Sequence, residues 1–407
     1  MGAAGVPLRE LGLVILVAAA LTFITTGIVR WAMVHSGRLS QIRERDVHTQ
    51  PKPRLGGVAM YTGFMAAVFM AEQLPALTRG FQPVTAEMRA VLWAATVIVL
   101  VGIFDDLYEL DALTKLIGQI AAGLALAFMG LSWSVVYVPF GGGTTFVLDS
   151  TLSVIVTVLF TVTLMNAINF VDGLDGLAAG LGMIAAAAIL LFSLVILHDQ
   201  GGMVSAYPPA IISATLVGIC LGFLPHNFEP ARIFMGDTGS MLIGLLLAAA
   251  ATSASGKIDM SLYGPVDFIA LMSPLLVVIA AIFVPMLDLV MAIVRRLRKG
   301  QSPFSADRLH LHHRLLALGH THRRVALVMY SWVSVVAFGA VSFSIFPPLI
   351  SCGLILLNAV LAAIFTWQPV VAQRNTEPTM PKVVAEEAPR TRRPRHQVPQ
   401  SKASTEK

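Results

Sequence analysis

Asn166, Asn169, Asp172 and Asp175 recur at three-residue steps in the stretch Asn166-Ala-Ile-Asn169-Phe-Val-Asp172-Gly-Leu-Asp175-Gly176. On a helix, such steps place neighbours along nearly one stripe. Here the stripe would consist of oxygen ligands and hydrogen-bond acceptors. Gly173 and Gly176 let the backbone turn, or let something approach it closely. A helix end capped by Asx turns needs fewer polar groups than these four. Asp105-Asp106 adds a second acidic position. Asp237, in Phe234-Met-Gly236-Asp237-Thr-Gly239-Ser240, adds a third. Paired acids at one helix end are often only solvated, and a lone Asp at a helix start is often only an N-cap. Three such positions in segments that end on one side of a membrane form a site by default, because ionisable groups at that depth are costly.

Clustered hard oxygens suit Mg²⁺, which takes one or two carboxylates, several waters and substrate phosphates. Zinc is excluded by the ligand set: His310-Leu-His312-His313 has no HExxH spacing and no cysteine lies near it. The histidines stand beside Arg308 and Arg314, as a cationic wall for phosphates or as a base and orienting set. Helix N-termini favour anions, so the start of the segment at Asp237 can hold an anion or, through Asp237, a metal, with Phe234 as a stacking face. Gln50-Pro-Lys52-Pro-Arg54-Leu-Gly56-Gly57 adds two basic groups on a stiff, glycine-ended stretch. No Walker A, GxGxxG or GxSxG pattern occurs, so a nucleotide would be held by other means.

The elements that must position these groups are apolar. The chain has 407 residues, of which 56% are hydrophobic and 13% charged, with a mean hydropathy of +0.77. Soluble domains carry about 25% charged residues. A whole-chain nucleic-acid binder, a disordered chain and a secreted disulfide scaffold are therefore excluded, and an all-α polytopic membrane protein remains. Cys220 and Cys352 lie in apolar runs and read as small buried hydrophobes. Eleven stretches are long and apolar enough to span: 10–33, 55–75, 89–104, 114–131, 151–168, 177–197, 209–225, 238–254, 267–294, 325–346 and 348–367. The first is too long for a cleavable signal. All but four of the 28 basic residues (Arg9, Arg79, Arg89 and Lys257) fall in alternate loops and the C-terminal tail. Positive charge stays inside, so the N-terminus is expected outside and the C-terminus in the cytoplasm, with Asp105, Asp106, Asp172, Asp175 and Asp237 at the cytoplasmic face. The expected division is a membrane domain over 1–369 and a disordered basic tail over 370–407.

Five blocks, in this order, resemble the polyprenyl-phosphate N-acetylhexosamine-1-phosphate transferase family: PKPRLGG at 51–57, GIFDD at 102–106, NAINFVDGLDGL at 166–177, FMGDTGS at 234–240 and SPFSADRLHLHHR at 302–314. The likeness runs over about residues 10–367. Leu311 interrupts the three consecutive histidines of the branch that transfers the muramyl-pentapeptide phosphate. The block is instead similar to the N-acetylglucosamine branch, and the Ala- and Arg-rich composition resembles actinobacterial members that use decaprenyl phosphate.

The resemblance implies a helical bundle in the bacterial plasma membrane with a cytoplasmic active site. It implies transfer of a sugar-1-phosphate from a UDP-sugar to a polyprenyl phosphate with Mg²⁺, or Mn²⁺ in its place, and release of UMP. Asp237, Asn169 and Asp106 would then serve the metal. Asp105, Asp106, Asp172, His312 and His313 would be catalytic, with Asp105 deprotonating or orienting the lipid phosphate. Lys52, Arg298, Arg308 and His310 would hold phosphates, Asp175 and Phe234 the uridine, and Asn166 would line the substrate site. Glu109 and Asp111 also stand close enough in sequence to approach the metal. The partners implied are the two substrates and the bilayer, with no nucleic acid; homodimers fit such bundles, although no residue specifies one. Two rivals stay open: the same chemistry on another UDP-sugar such as UDP-N-acetylmuramyl-pentapeptide, and a secondary transporter, which would place its ionisable groups nearer the midplane.

Overall fold

The computed structural model describes residues 6–37, 52–138, 144–199, 201–255, 272–280 and 321–367. Helices dominate: α1 (Leu8–His35), α2 (Gly56–Gln73), α3 (Glu87–Tyr108), α4 (Ala112–Phe128), α5 (Ser150–Val171), α6 (Leu177–Asp199), α7 (Tyr207–Asn227), α8 (Gly236–Ser255), α9 (272–280), α10 (His322–Ser342) and α11 (Pro348–Trp367). The described residues all fall within one compact unit. Eight of these helices, α1, α3, α5, α6, α7, α8, α10 and α11, are long and apolar enough to cross a membrane, and α4 is a shorter apolar helix. The chain is an all-α polytopic membrane protein, as its hydropathy requires. The expected ninth span, 267–294, is described only over 272–280, and the tail from 370 lies outside the described residues.

One element differs from the expectation. Between α4 and α5 the chain forms a short antiparallel hairpin, β1 (Val135–Val138) with β2 (Thr144–Val147), in the register Val135↔Val147 to Val138↔Thr144. Its strands are too short to register as spans, and a run of β-branched residues interrupted by Gly141-Gly142-Gly143 is the signal that carries it.

Helix α8 is the centre. Some 94% of its membrane-length window is buried, against 11% for α11. It packs against α3 and α5 most closely, and also against α2, α6 and α7. Lipid tails are as apolar as leucine, so close packing of small residues replaces the hydrophobic drive between such helices. A Cβ on Gly57 of α2 would overlap the backbone of Gly239, one on Gly102 of α3 would overlap Thr238, and one on Gly244 would meet the backbone of Met165 in α5. These contacts bring the ends of α2, α3 and α5 to the first turn of α8. Helix α11 touches chiefly α10 and turns Leu349, Leu356, Leu357 and Trp367 outward. Both cysteines are free. Cys220 is buried as expected, whereas Cys352 is exposed, because it sits on this sparsely packed last helix.

Candidate active site

Three helix ends meet at the start of α8. Asp105 and Asp106 lie in the last turn of α3, Asn169 in the last turn of α5, and Asp237 in the first turn of α8. The Asp106 carboxylate accepts from the backbone N–H of Asp237 at 2.8 Å and from the N–H and hydroxyl of Thr238 at 3.1 and 2.6 Å. It therefore caps α8 from another helix, satisfying N–H groups that have no partner inside α8. Gly236 makes this possible. Its φ is +69°, and a Cβ there would collide with the Asp106 carboxylate and the Arg54 carbonyl. Both Asp106 oxygens are thus engaged by the α8 N-terminus.

Asp105 and Asp237 share a cation that the sequence argument counted only as a topology signal. Lys115 Nζ stands 3.0 Å from Asp105 Oδ2 and 2.6 Å from Asp237 Oδ2. Asp111 caps α4 by accepting from the N–H groups of Leu113 and Thr114. A three-residue turn therefore reverses the chain and sets Lys115 beside the end of α3. That short turn, with an N-cap Asp four residues before a lone lysine, was the available signal. Asp105 also accepts from Leu110 N–H at 3.0 Å, which fixes the turn. Glu109 is left-handed at φ 53° and ends α3, while Asp111 is committed to its cap.

Asn169 donates to Asp237 Oδ1 and, at 2.8 Å, to Ser240 Oγ. Asp172 is the residue after the last turn of α5. Burial raises its carboxyl pKa well above the usual range, and the negative charges of Asp237, Asp106 and Asp175 push it further, opposed by Arg54. Asn166 does not join them. It forms a reciprocal amide pair with the buried Gln119 of α4, at 2.7 and 3.2 Å. Each three-residue step on a helix lags about 60°. Asn166 and Asp172 are therefore on different faces, and Asp175 lies beyond the end of the helix.

A second group forms alongside. Lys52 Nζ lies 3.7 Å from Asp175 and 5.2 Å from the centroid of the Phe234 ring. Asp175 also accepts from Ala231 N–H at 2.8 Å. The two strips of backbone that carry Lys52 and Phe234 pair directly: Phe234 N–H to Pro53 O at 2.9 Å, Gly56 N–H to Phe234 O at 3.0 Å, and Gly57 N–H to Met235 O at 2.8 Å. The first, third and fourth sequence blocks therefore converge with the second. His310, His312, His313, Arg298 and Arg308 lie outside the described residues.

Among the described residues, no three Asp, Glu, His or Cys side chains form a cation site by themselves. A pair of carboxylates with an amide is what remains at Asp237, Asp172 and Asn169. That donor set fits Mg²⁺, which is commonly completed by water and substrate phosphate. The arrangement joins an acidic end, a lysine between two acids, and an aromatic face with a second lysine. Such a site can bind a diphosphate and neutralise charge developed in phosphoryl transfer.

The bundle and this site define a membrane-embedded phosphoryl-transfer enzyme. Residues 88–255 match the model of glycosyl transferase family 4. The chain is 56% identical over 368 residues to the decaprenyl-phosphate N-acetylglucosaminephosphotransferase of Mycobacterium tuberculosis, covering 90% of this chain and 91% of that one. It is 35% identical over 317 residues to a probable undecaprenyl-phosphate N-acetylglucosaminyl 1-phosphate transferase of Bacillus subtilis, covering 77% and 80%. It is 34% identical over 290 residues to a phospho-N-acetylmuramoyl-pentapeptide-transferase of Desulforudis audaxviator, covering 65% and 84%. The chain belongs to glycosyl transferase family 4.

Proposed function

We propose that this protein transfers N-acetylglucosamine-1-phosphate from UDP-N-acetylglucosamine to a polyprenyl phosphate, of the decaprenyl type, and releases UMP. The observation that carries the reading is the junction where the ends of α3, α5 and α8 gather Asp105, Asp106, Asn169 and Asp237, with Lys115 between Asp105 and Asp237. The relative at 56% identity is named for N-acetylglucosamine, and the muramoyl-pentapeptide relative stands at 34%. That difference favours N-acetylglucosamine over the muramyl substrate.

In this reaction an oxygen of the lipid phosphate attacks the β-phosphorus of the UDP-sugar. The bond to the bridging oxygen breaks, and UMP leaves with its electron pair. Such transfers depend on positioning and charge neutralisation more than on covalent chemistry. Asp237, with Asn169 and Asp172, would hold Mg²⁺, which when bound neutralises diphosphate charge. Lys115 faces the same region and supplies a fixed positive charge to phosphate oxygens. Asp105, beside Lys115, orients the incoming lipid phosphate; that phosphate is already largely ionised near neutral pH, so its need for a base is modest. Lys52 and Phe234, with Asp175, form the nucleotide end. Asp106 acts through α8, holding the backbone that carries Asp237. The split of basic residues between alternate loops supports a site on the cytoplasmic face of the plasma membrane.

The test is transfer of label from radiolabelled UDP-N-acetylglucosamine into organic-extractable lipid by the purified protein, with polyprenyl phosphate, with and without EDTA. Labelled lipid and released UMP that both vanish with EDTA are expected. Product from UDP-N-acetylmuramyl-pentapeptide alone would replace the sugar, and no product from any UDP-sugar would overturn the reaction class.

A further inference from the structure

The loop that carries Asp172 and Asp175 and the loop that leads into Asp237 are joined by one buried side chain outside all of the sequence blocks. Asn227 ends α7 and is 2% exposed. Its Oδ1 accepts from Gly176 N–H at 3.1 Å, and its Nδ2 donates to Ile233 O at 3.0 Å. Gly176 follows Asp175 directly, and Ile233 precedes Phe234. The same glycine is gripped on its other side, where its carbonyl accepts from the Tyr330 hydroxyl of α10. Gly176 has a φ of +75°, and a Cβ there would press on the Phe228 ring at 2.9 Å. Both faces of this residue are thus fixed, one by Asn227 and one by Tyr330.

Neither side chain touches the acids or the aromatic face described above. Each acts only through the backbone beside them. A single carboxamide that satisfies one donor and one acceptor from two separate loops sets the distance between those loops. Removing either half leaves a buried N–H or C=O without its partner, which a buried backbone group rarely tolerates. We propose that Asn227 is a positioning residue of the active site. It locks the 172–176 loop to the 231–237 loop, with Tyr330 as the second jaw of the clamp on Gly176, so that the nucleotide end and the acidic end keep one register. The proposal rests on the transferase reading above.

Asn227→Asp keeps an acceptor for Gly176 and sets a carboxylate oxygen against the Ile233 carbonyl. Tyr330→Phe removes one hydroxyl and keeps the ring. Misplacing reacting groups by an ångström costs up to about 100-fold. In the full-length protein, kcat should fall about 10- to 100-fold for Asn227→Asp and about 3- to 10-fold for Tyr330→Phe. The KM for UDP-N-acetylglucosamine should stay within about 3-fold, because each loop keeps its own side chains. Rates are expressed per UMP-binding site, titrated by calorimetry, so loss of folded protein does not count. The two changes should be non-additive, since both act on one peptide unit. Unchanged kcat per binding site in both variants would overturn the proposal, as would strict additivity. If Asn227→Asp does not fold, Tyr330→Phe decides alone through the same kcat-against-KM comparison. Wild-type protein with no transfer at all would instead sink the reaction assignment, and with it the clamp's part in that reaction; normal wild-type transfer with unchanged variants would sink the clamp alone.

Discussion

Helices α3 and α8 meet twice through buried acids, once at each end, and the two meetings do different things. At the end opposite the site, Glu87 in the first turn of α3 is 1% exposed and accepts from the Ser253 hydroxyl in the last turn of α8. At the site end, Asp106 in the last turn of α3 accepts three bonds from the first residues of α8, and Asp105 and Asp237 share Lys115. The first meeting is a side-chain tie between helices. In the second, carboxylates lie at a helix N-terminus, whose dipole favours negative charge, and two of them share one lysine while a third caps the helix. An excess of that kind is stable only if something positive or a polar substrate completes it. Burial of an acid is therefore not the mark of the site; convergence of several on one helix start is.

Substitutions at four positions test this contrast, in falling order of expected effect. Asp237→Asn should reduce transfer by about 1,000-fold or more, as loss of a central charge in a preorganised site does, while circular dichroism and membrane insertion stay native. Near-native turnover at saturating Mg²⁺ would break the metal assignment. Lys115→Gln should cost about 100-fold in kcat/KM, and Lys115→Arg less; a lysine that is merely a topology signal would give wild-type rates with either. Asp106→Ala leaves the buried N–H groups of Asp237 and Thr238 without acceptors, at about 1–3 kcal/mol. A lower melting temperature and a roughly 10-fold loss of activity are expected together, and a loss of activity with unchanged melting would move Asp106 from capping to chemistry. Glu87→Gln should leave turnover within about 2-fold, because its hydroxyl partner can bond to an amide. A loss as large as that of Asp106→Ala would erase the distinction between the two ends.

Eight of the described helices were legible from hydropathy because each must bury or expose about 20 apolar residues in lipid; the stretches expected to span at 55–75 and 114–131 form the helices α2 and α4, which fall short of that length or apolarity. The segment expected at 177–197 is α6 (Leu177–Asp199), and the one expected at 348–367 is α11 (Pro348–Trp367). The hairpin at 135–147 was not legible by that measure, since four-residue strands leave no span-length signal. Within the site, the residue types pointed to phosphate and metal chemistry, and the structure brings Asp105, Asp106, Asn169, Asp172 and Asp237 to one junction. Lys115, Gln119 and Asn227 were not foreseen. Lys115 depends on the tightness of a turn, Gln119 on the 60° lag that turns Asn166 away, and Asn227 on a tertiary contact between two loops. Only the first leaves a local signal, the N-cap Asp111 four residues before Lys115.

The backbone pairing of residues 53–57 with 234–235 joins strips about 180 positions apart. Chains fold from the N-terminus as they are made, so α1 to α7 enter the membrane while the partner of the first strip is still being synthesised. The Lys115–Asp237 pair, the Asn169–Asp237 contact and the Asp106 cap all wait for the same stretch, and Tyr330 arrives later still. A ribosome stalled before α8 would leave an inserted bundle with Lys115 paired to Asp105 and Lys52 to Asp175, but without Phe234 or Asp237. Competence is thus gained late, when that one stretch is added.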